Sequence, residues 1–395
     1  MADPLQAVQR LLGLRQLSLL DELPAALTDT APLLDAVEIT VLLVDYEQIA
    51  LWPLTGDASR TTDSVRINDT AAGRSFTSAR PVRHDDPADL LLWLPLVHGA
   101  ERLGVLRVRL SAEPDDGYQG LTVIAALLAE LISSRRFYGD AVEHTRRRLP
   151  MQLAAEIIWN QLPPLSFTAH DTTITAVLEP SYNVGGDAFD YAANGTTLHI
   201  ALFDTVGHGI TASALTTLTL NTYRNARRCG LSLTDTYRSI DKWVRNQHPG
   251  AFVTAILAEL DTRTGLYQRI SAGHPAELLL RDGGSLPPLP TPTALPLGLA
   301  HMRTRPPGVT RHTLRRGDTL LLYTDGITES RSADGELFGL NRLSEFVTTA
   351  KARGLPPAEI MRQLIHTIVS YEEGELRDDA TAAMLQWHPE AYQEP

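Results

Sequence analysis

Aspartates stand at the ends of apolar runs in the second half of this 395-residue chain. Asp187 lies in NVGGDAFDY and Asp204 in LFDTVGHG. Asp325 closes LLLYTDG, and Asp378, with Asp379 beside it, opens RDDATAAMLQW. One strand-end aspartate is an ordinary turn residue. Repetition at four strand ends of one region points to chemistry. Carboxylates at the rim of a core are costly unless a cation or protons neutralise them. Oxygen ligands without His or Cys favour Mg²⁺ or Mn²⁺ over zinc. Such a set can hold two ions about 3.5–4 Å apart and activate a bridging water. That chemistry suits hydrolysis of a phosphate ester.

The strands that carry the first two acids form a predicted hairpin. Asn194-Gly195 between two apolar runs is a strong hairpin signal, because tight hairpin turns need positive φ. A turn made of those two residues pairs Ala193 with Thr196 and sets Asp187 opposite Leu202. Asp204 is then a diagonal cross-strand neighbour of Asp187, roughly 7–8 Å away. It continues the face of Leu198, Ile200 and Leu202.

The elements around this hairpin alternate in type. Helices are expected over about 211–228, ending at Gly230, and over about 235–247, with Thr234 as N-cap. Strands return at 252–261, 265–272, 276–280 and 318–324, helices cover 340–351 and 357–371, and a last strand covers 381–387. The expectation is an α+β sandwich, with strands packed face to face and helices outside.

The first half reads differently. Leu5, Val8, Leu12, Leu19 and Leu23 recur at helical spacing, with Pro24 expected to end that helix. Strand pairs follow at 38–54 and 90–110, then a helix from about Tyr118. Helix, hairpin, variable middle, hairpin, helix resembles a GAF sensory domain over about 130 residues. That resemblance leaves open a bound small ligand or dimerisation alone; without a cysteine here, a thioether-linked chromophore is excluded. Residues 120–162 read as mostly helical, with Leu121, Ile124, Leu127, Leu128, Leu131 and Ile132 as an apolar stripe. Pro150 kinks or restarts the helix, and Pro163-Pro164 ends it. The expected layout is a GAF-like sensory and dimerisation domain over 1–135, a helical linker over 136–165 and a second domain over 166–390. A homodimer is expected through the first domain and linker, with Leu128 and Leu131 in its contact, its linker biasing the second domain.

Bulk composition narrows the classes. The net charge of −12, from 47 acidic and 35 basic residues, argues against nucleic-acid binding. The single cysteine, Cys229, excludes a disulfide framework and a Cys-based zinc site. The N-terminus lacks an apolar signal core, and no stretch approaches about 20 uninterrupted apolar residues. A cytoplasmic protein without membrane contact is expected.

In order along the chain stand VGGDAFDY, FDTVGHG, FVTAILAELD, SAGHPAELLL, LLLYTDGITES, ELFG and RDDAT. Jointly they resemble the metal-dependent Ser/Thr protein phosphatases of the PPM family, and within it the bacterial SpoIIE/RsbU-like branch. The resemblance implies a β-sandwich flanked by helices, with two Mn²⁺ or Mg²⁺ ions between the sheets and a third left open. It implies ligation by Asp187, Asp204, the Thr205 backbone carbonyl, Asp325 and Asp378, with Asp204 bridging both ions; the register between Asp378 and Asp379 stays open. Gly207 and Gly209 let the backbone turn into the following helix. His208 is either a general acid for the leaving serine oxygen or a turn histidine capping that helix, and His274 reads as structural. The branch implies a phosphorylated anti-sigma-factor antagonist, a STAS-domain protein, as substrate.

Two rival readings exist. Gly185-Gly186-Asp187-Ala188-Phe189 is similar to the GGDEF signature of diguanylate cyclases, but Ala188 replaces its Glu, and FDTVGHG, YTDG and RDDAT stay unexplained. The other rival is a non-catalytic scaffold that binds a partner.

Overall fold

Pro150 divides the chain. The computed structural model describes residues 4–13, 19–56, 63–85, 90–113, 118–169, 171–183, 185–281, 283–285, 289, 294–302, 307–374 and 376–388. They form two compact units, Met1–Pro150 and Met151–Pro395.

In the first unit an antiparallel sheet is built from β1 (Ala36–Val44), β2 (Ala50–Pro53), β3 (Val65–Arg66), β4 (Val82–Asp85), β5 (Leu90–His98) and β6 (Glu101–Leu110). Its order is β3-β2-β1-β6-β5-β4. Helices α1 (Pro4–Gly13), α2 (Leu23–Thr30) and α4 (Gln119–Arg135) cover one face, and α3 (Ala71–Ser78) packs Phe76 on the other. Both expected strand pairs are present. Pro24 does not end a helix: it occupies the first turn of α2, where its missing N–H costs nothing. The stretch 14–18 of the expected first helix lies outside the described residues.

The expected helical run 120–162 is three helices, not one. After α4 come α5 (Ala141–Arg146), in the first unit, and α6 (Leu153–Trp159), in the second. Pro150 keeps α5 and α6 apart because it lacks an N–H and disfavours helical backbone at Leu149, whereas the earlier break lies between Arg135 and Ala141. Leu128 and Leu131 are buried in the core of the first unit, so they are not contact residues for a second copy.

The second unit is an α+β sandwich. One sheet holds β9 (Ala188–Asn194), β10 (Thr197–Thr205), β11 (Val253–Asp261), β12 (Leu266–Ala272) and β15 (Thr310–Thr313), in the order β15-β12-β11-β10-β9. The other holds β7 (Ser166–Ala169), β8 (Thr172–Glu179), β13 (Leu278–Arg281), β14 (Gly284–Ser285), β16 (Thr319–Tyr323) and β17 (Ala380–Trp387), in the order β14-β13-β16-β17-β8-β7. Leu198, Ile200 and Leu202 of β10 meet Leu320 and Leu322 of β16 and Leu385 of β17 between the sheets. The alternate β10 residues, Ala201 and Phe203, face α7 (Gly209–Arg228) and α8 (Leu233–Gln247). Helices α10 (Gly339–Ala352) and α11 (Pro357–Tyr371) cover the outer face of the second sheet. Strands buried on both faces read as continuous apolar runs, which is why β10 and β16 stood out in sequence. The N-cap of α8 is Ser232, not Thr234: its hydroxyl accepts the Asp235 N–H at 3.2 Å.

Candidate active site

The β9–β10 hairpin differs from expectation by two residues. Asn194 pairs with Thr197 and Ala188 with Phe203, leaving Gly195-Thr196 as the loop. Gly195 takes φ +58 at the first loop position. A shift of two keeps every side chain on its expected face. It changes which residues oppose one another. One step beyond the last pair, Asp187 stands across from Asp204, not diagonal to it. Both emerge at the end of the row that Leu202 and Phe189 bury between the sheets.

The second sheet supplies the other acids. Asp325 opens the short helix α9 (Asp325–Thr328) just after β16. Asp378 and Asp379 precede β17, the neighbour of β16. Glycines allow these chain ends to close on one another. A Cβ on Gly186 would fall 2.4 Å from the Thr205 carbonyl oxygen, and one on Gly326 2.1 Å from the Asp379 carbonyl oxygen. Neither position tolerates a side chain without backbone movement.

Asp378 and Asp379 have different surroundings. The Asp379 carboxylate accepts the N–H groups of Gly185, Gly186 and Asp187 at 2.8, 2.7 and 3.1 Å. It clamps the turn that presents Asp187. Asp378 is exposed; its Oδ1 accepts the Asp379 N–H at 2.9 Å. Thr324 donates its hydroxyl to Asp187 Oδ2 at 2.8 Å while accepting the Thr381 N–H at 3.0 Å, so it aims Asp187 from the second sheet. Thr254 donates to Asp204 Oδ2 at 3.3 Å. The Thr216 hydroxyl of α7 bonds the Gly186 carbonyl at 2.7 Å and the Thr205 hydroxyl at 2.8 Å. Sequence reading missed Thr324, Thr216 and the clamp. Thr324, directly before Asp325 in YTDG, was the residue that its place in a quoted motif could have flagged.

The electrostatics follow from this crowding. Burial, then Asp379 and Asp204, hold the Asp187 carboxyl well above the usual range. Asp204 is pushed up to about 7 by burial and by the nearby Asp325 and Asp378. Asp325 is raised by burial, by Asp378 and by Glu329. Burial also raises Asp379, against the pull of its three backbone donors. These acids repel one another across the gap between two sheets, a condition that a divalent cation relieves. Among the described residues no group of three or more His, Cys, Asp or Glu side chains stands close enough together, as they lie, to hold a metal ion. The donor set is hard oxygen throughout and fits Mg²⁺ or Mn²⁺, not zinc.

The FDTVGHG loop runs from Asp204 into α7. Gly207 and Gly209 take φ +91 and +74. His208 occupies the N-cap position of α7; its imidazole is exposed and makes no capping bond. His274 is buried, with Nδ1 3.2 Å from the Pro275 carbonyl oxygen, and burial lowers it to about 4. It packs as a neutral ring.

Comparison with known proteins adds the following. Residues 194–388 match the family described as Stage II sporulation protein E, SpoIIE. The phosphoserine phosphatase RsbU of Bacillus subtilis is 23% identical over 216 residues, 54% of this chain and 62% of that protein. Protein IcfG of Synechocystis is 24% identical over 266 residues, 59% of this chain and 41% of that protein. The chain thus spans less than two thirds of the length of these curated relatives. Among solved structures, the RsbU and RsbW domains of Rv1364c from Mycobacterium tuberculosis are 25% identical, with TM-score 0.49, 56% of this chain and 62% of that one covered. The SiaA-PP2C domain of Pseudomonas aeruginosa is 20% identical, with TM-score 0.49, 67% of this chain and 99% of that one covered.

Proposed function

Since residues 194–388 form a SpoIIE-family domain, we propose that this chain is a metal-dependent protein-serine/threonine phosphatase. The observation that carries the reading is the convergence of Asp187 and Asp204 from one sheet with Asp325 and Asp378 from the other, at the mouth of a packed sandwich. Asp187, Asp204, the Thr205 carbonyl, Asp325 and Asp378 would hold two Mn²⁺ or Mg²⁺ ions. Once bound, these would neutralise phosphoryl oxygens and supply a water of lowered pKa.

The chain's own residues do the positioning. Asp204 faces Asp187 across the hairpin and Asp325 and Asp378 across the sheets, so it is the bridging candidate. Asp378, rather than Asp379, is assigned as ligand, because Asp379 Oδ2 accepts the N–H groups of Gly185, Gly186 and Asp187, with Gly185 also reaching Oδ1 at 3.1 Å, so that this carboxylate is turned to the backbone of the turn. Thr324 fixes which oxygen of Asp187 faces the gap. For His208, exposed at the start of α7, the structural turn role comes first; as a general acid it would give a proton to a leaving serine oxygen, a role worth about 10²–10⁴-fold where the acid is positioned.

The similarity to the phosphoserine phosphatase RsbU supports a phosphorylated anti-sigma-factor antagonist of the STAS type as the natural substrate. The first unit, with its sheet between two helical layers, supports the GAF-like reading and a regulatory role. Leu5 and Leu12 of α1 are exposed, as is Val123 of α4, and these two helices pack together. This apolar face, not Leu128 and Leu131, is our site for a homodimer. Among the described residues no helix is long and apolar enough to cross a membrane; the cytoplasmic setting is our proposal. The test of the activity is Mn²⁺-dependent hydrolysis of p-nitrophenyl phosphate and of a phosphoserine peptide by the purified chain; a scaffold would hydrolyse neither.

A further inference from the structure

The loop after Asp204 carries a surface that the acid cluster does not use. Val206 and Ile210 are 43% and 58% exposed, one on each side of Gly207-His208-Gly209. The loop is held at both ends. The Val206 N–H donates to the Phe252 carbonyl at 3.3 Å, and α7 begins at Gly209. Between them Gly207 and Gly209 follow left-handed backbone that other residues rarely adopt. A Cβ on Gly185 would fall 3.1 Å from His208 Cα and 3.4 Å from the Gly209 nitrogen. The loop therefore lies directly against the turn that presents Asp187, at the mouth of the cluster.

A single exposed Val or Ile is ordinary on a protein surface. Here the placement is particular. Thr205 before the loop and Ala212 after it are buried, so the chain comes to the surface only around this short segment. On the other sheet the exposed residues next to the acids are Glu329, Arg377 and Asp378, all charged. The exposed side chains on one side of the mouth thus include Val206 and Ile210 with His208 between them, and those on the other side are charged. Two β-branched apolar side chains kept half in water recover free energy only when something apolar covers them. What enters this mouth under the phosphatase reading is a substrate.

We propose that Val206 and Ile210 form a substrate-selecting lip, which packs against apolar side chains flanking the phosphoserine of a protein substrate while the phosphate enters the acid cluster. This rests on the phosphatase reading and goes beyond it by naming the class of sequence accepted. The occupant is a polypeptide: its residues beside the phosphoserine supply the apolar side chains that the lip would cover. Attraction through the lip is insensitive to salt, unlike attraction between charges.

The test compares the wild type with the double variant Val206→Ser, Ile210→Ser on three substrates at one Mn²⁺ concentration. These are a phosphoserine peptide with Leu on each side of the phosphoserine, the same peptide with Gly at both places, and p-nitrophenyl phosphate. The wild type is expected to favour the Leu peptide by about tenfold in kcat/KM, through KM. The double variant loses that preference and hydrolyses p-nitrophenyl phosphate at the wild-type rate. A wild type indifferent to the flanks, or a variant that keeps the preference, overturns the lip. A variant that loses p-nitrophenyl phosphate turnover as well shows that the loop supports the acid cluster, and also overturns it. A wild type inactive on all three defeats the phosphatase reading itself, and the lip with it.

Discussion

Asp187 and Asp204 oppose each other one step beyond the last paired residues of the β9–β10 hairpin, Ala188 and Phe203. Two carboxylates at directly opposed strand positions repel. The hairpin holds them there because its register is fixed by the buried row that ends in Phe189 and Leu202. The same contacts that build the core therefore set the charge density of the site.

This has a consequence for stability without metal. Asp204 rises from an unfolded value of 3.8 to about 7 in the fold. Between those values the folded chain binds more protons than the unfolded chain, so stability falls as pH rises from about 4 to about 7, then levels off. Asp187 and Asp325 shift in the same direction. With chelator present, the unfolding temperature is expected to be higher at pH 5.5 than at pH 8. Added Mn²⁺ should raise it more at pH 8, where the acids are ionised. His274, lowered from 6.5 to about 4, acts in the opposite sense, so the check is against Asp204→Asn: a metal-free fall in unfolding temperature from pH 5.5 to pH 8 that is as large in that variant as in the wild type would contradict the charge crowding.

The adjacent acids of RDDAT separate into two roles. Asp379→Ala leaves the N–H groups of Gly185, Gly186 and Asp187 without their acceptor, and should cost about 1–3 kcal/mol or more of stability. Asp378→Ala, at an exposed position, should leave the unfolding curve in place and raise the Mn²⁺ concentration needed for half-maximal turnover. Denaturant unfolding and a Mn²⁺ titration of both variants check this. Equal effects of the two substitutions on stability would remove the distinction.

Much of this was legible in the sequence. The strands were visible because β10 and β16 are buried on both faces and so read as apolar runs. The four acids stood out because each follows or precedes such a run. The hairpin register differs by two from the one that an Asn194-Gly195 loop implies. Asn194 pairs with Thr197 instead, and turn composition does not say which of two adjacent residues ends the strand. The Asp379 clamp joins residues more than 190 positions apart, and no local pattern encodes it. Leu128 and Leu131 belong to a stripe that fits a core and a dimer seam equally well; only their burial against the sheet decides.

That burial yields a paired prediction in the first unit. Leu128→Ala should destabilise that unit by roughly 2–5 kcal/mol, as for a buried leucine. Leu5→Glu with Val123→Glu, both exposed, should leave unfolding unchanged, convert a dimer to a monomer in sedimentation, and change basal turnover. A wild-type chain that sediments as a monomer would exclude the dimer face.

The most direct test of the central claim is phosphate release from a phosphoserine peptide, titrated with Mn²⁺, for the wild type and for Asp204→Asn and Asp325→Asn. The account predicts turnover that rises with Mn²⁺, disappears with chelator and falls by at least about 10²-fold in each variant, with circular dichroism unchanged. Near wild-type release by both variants, or release indifferent to chelator, would contradict it.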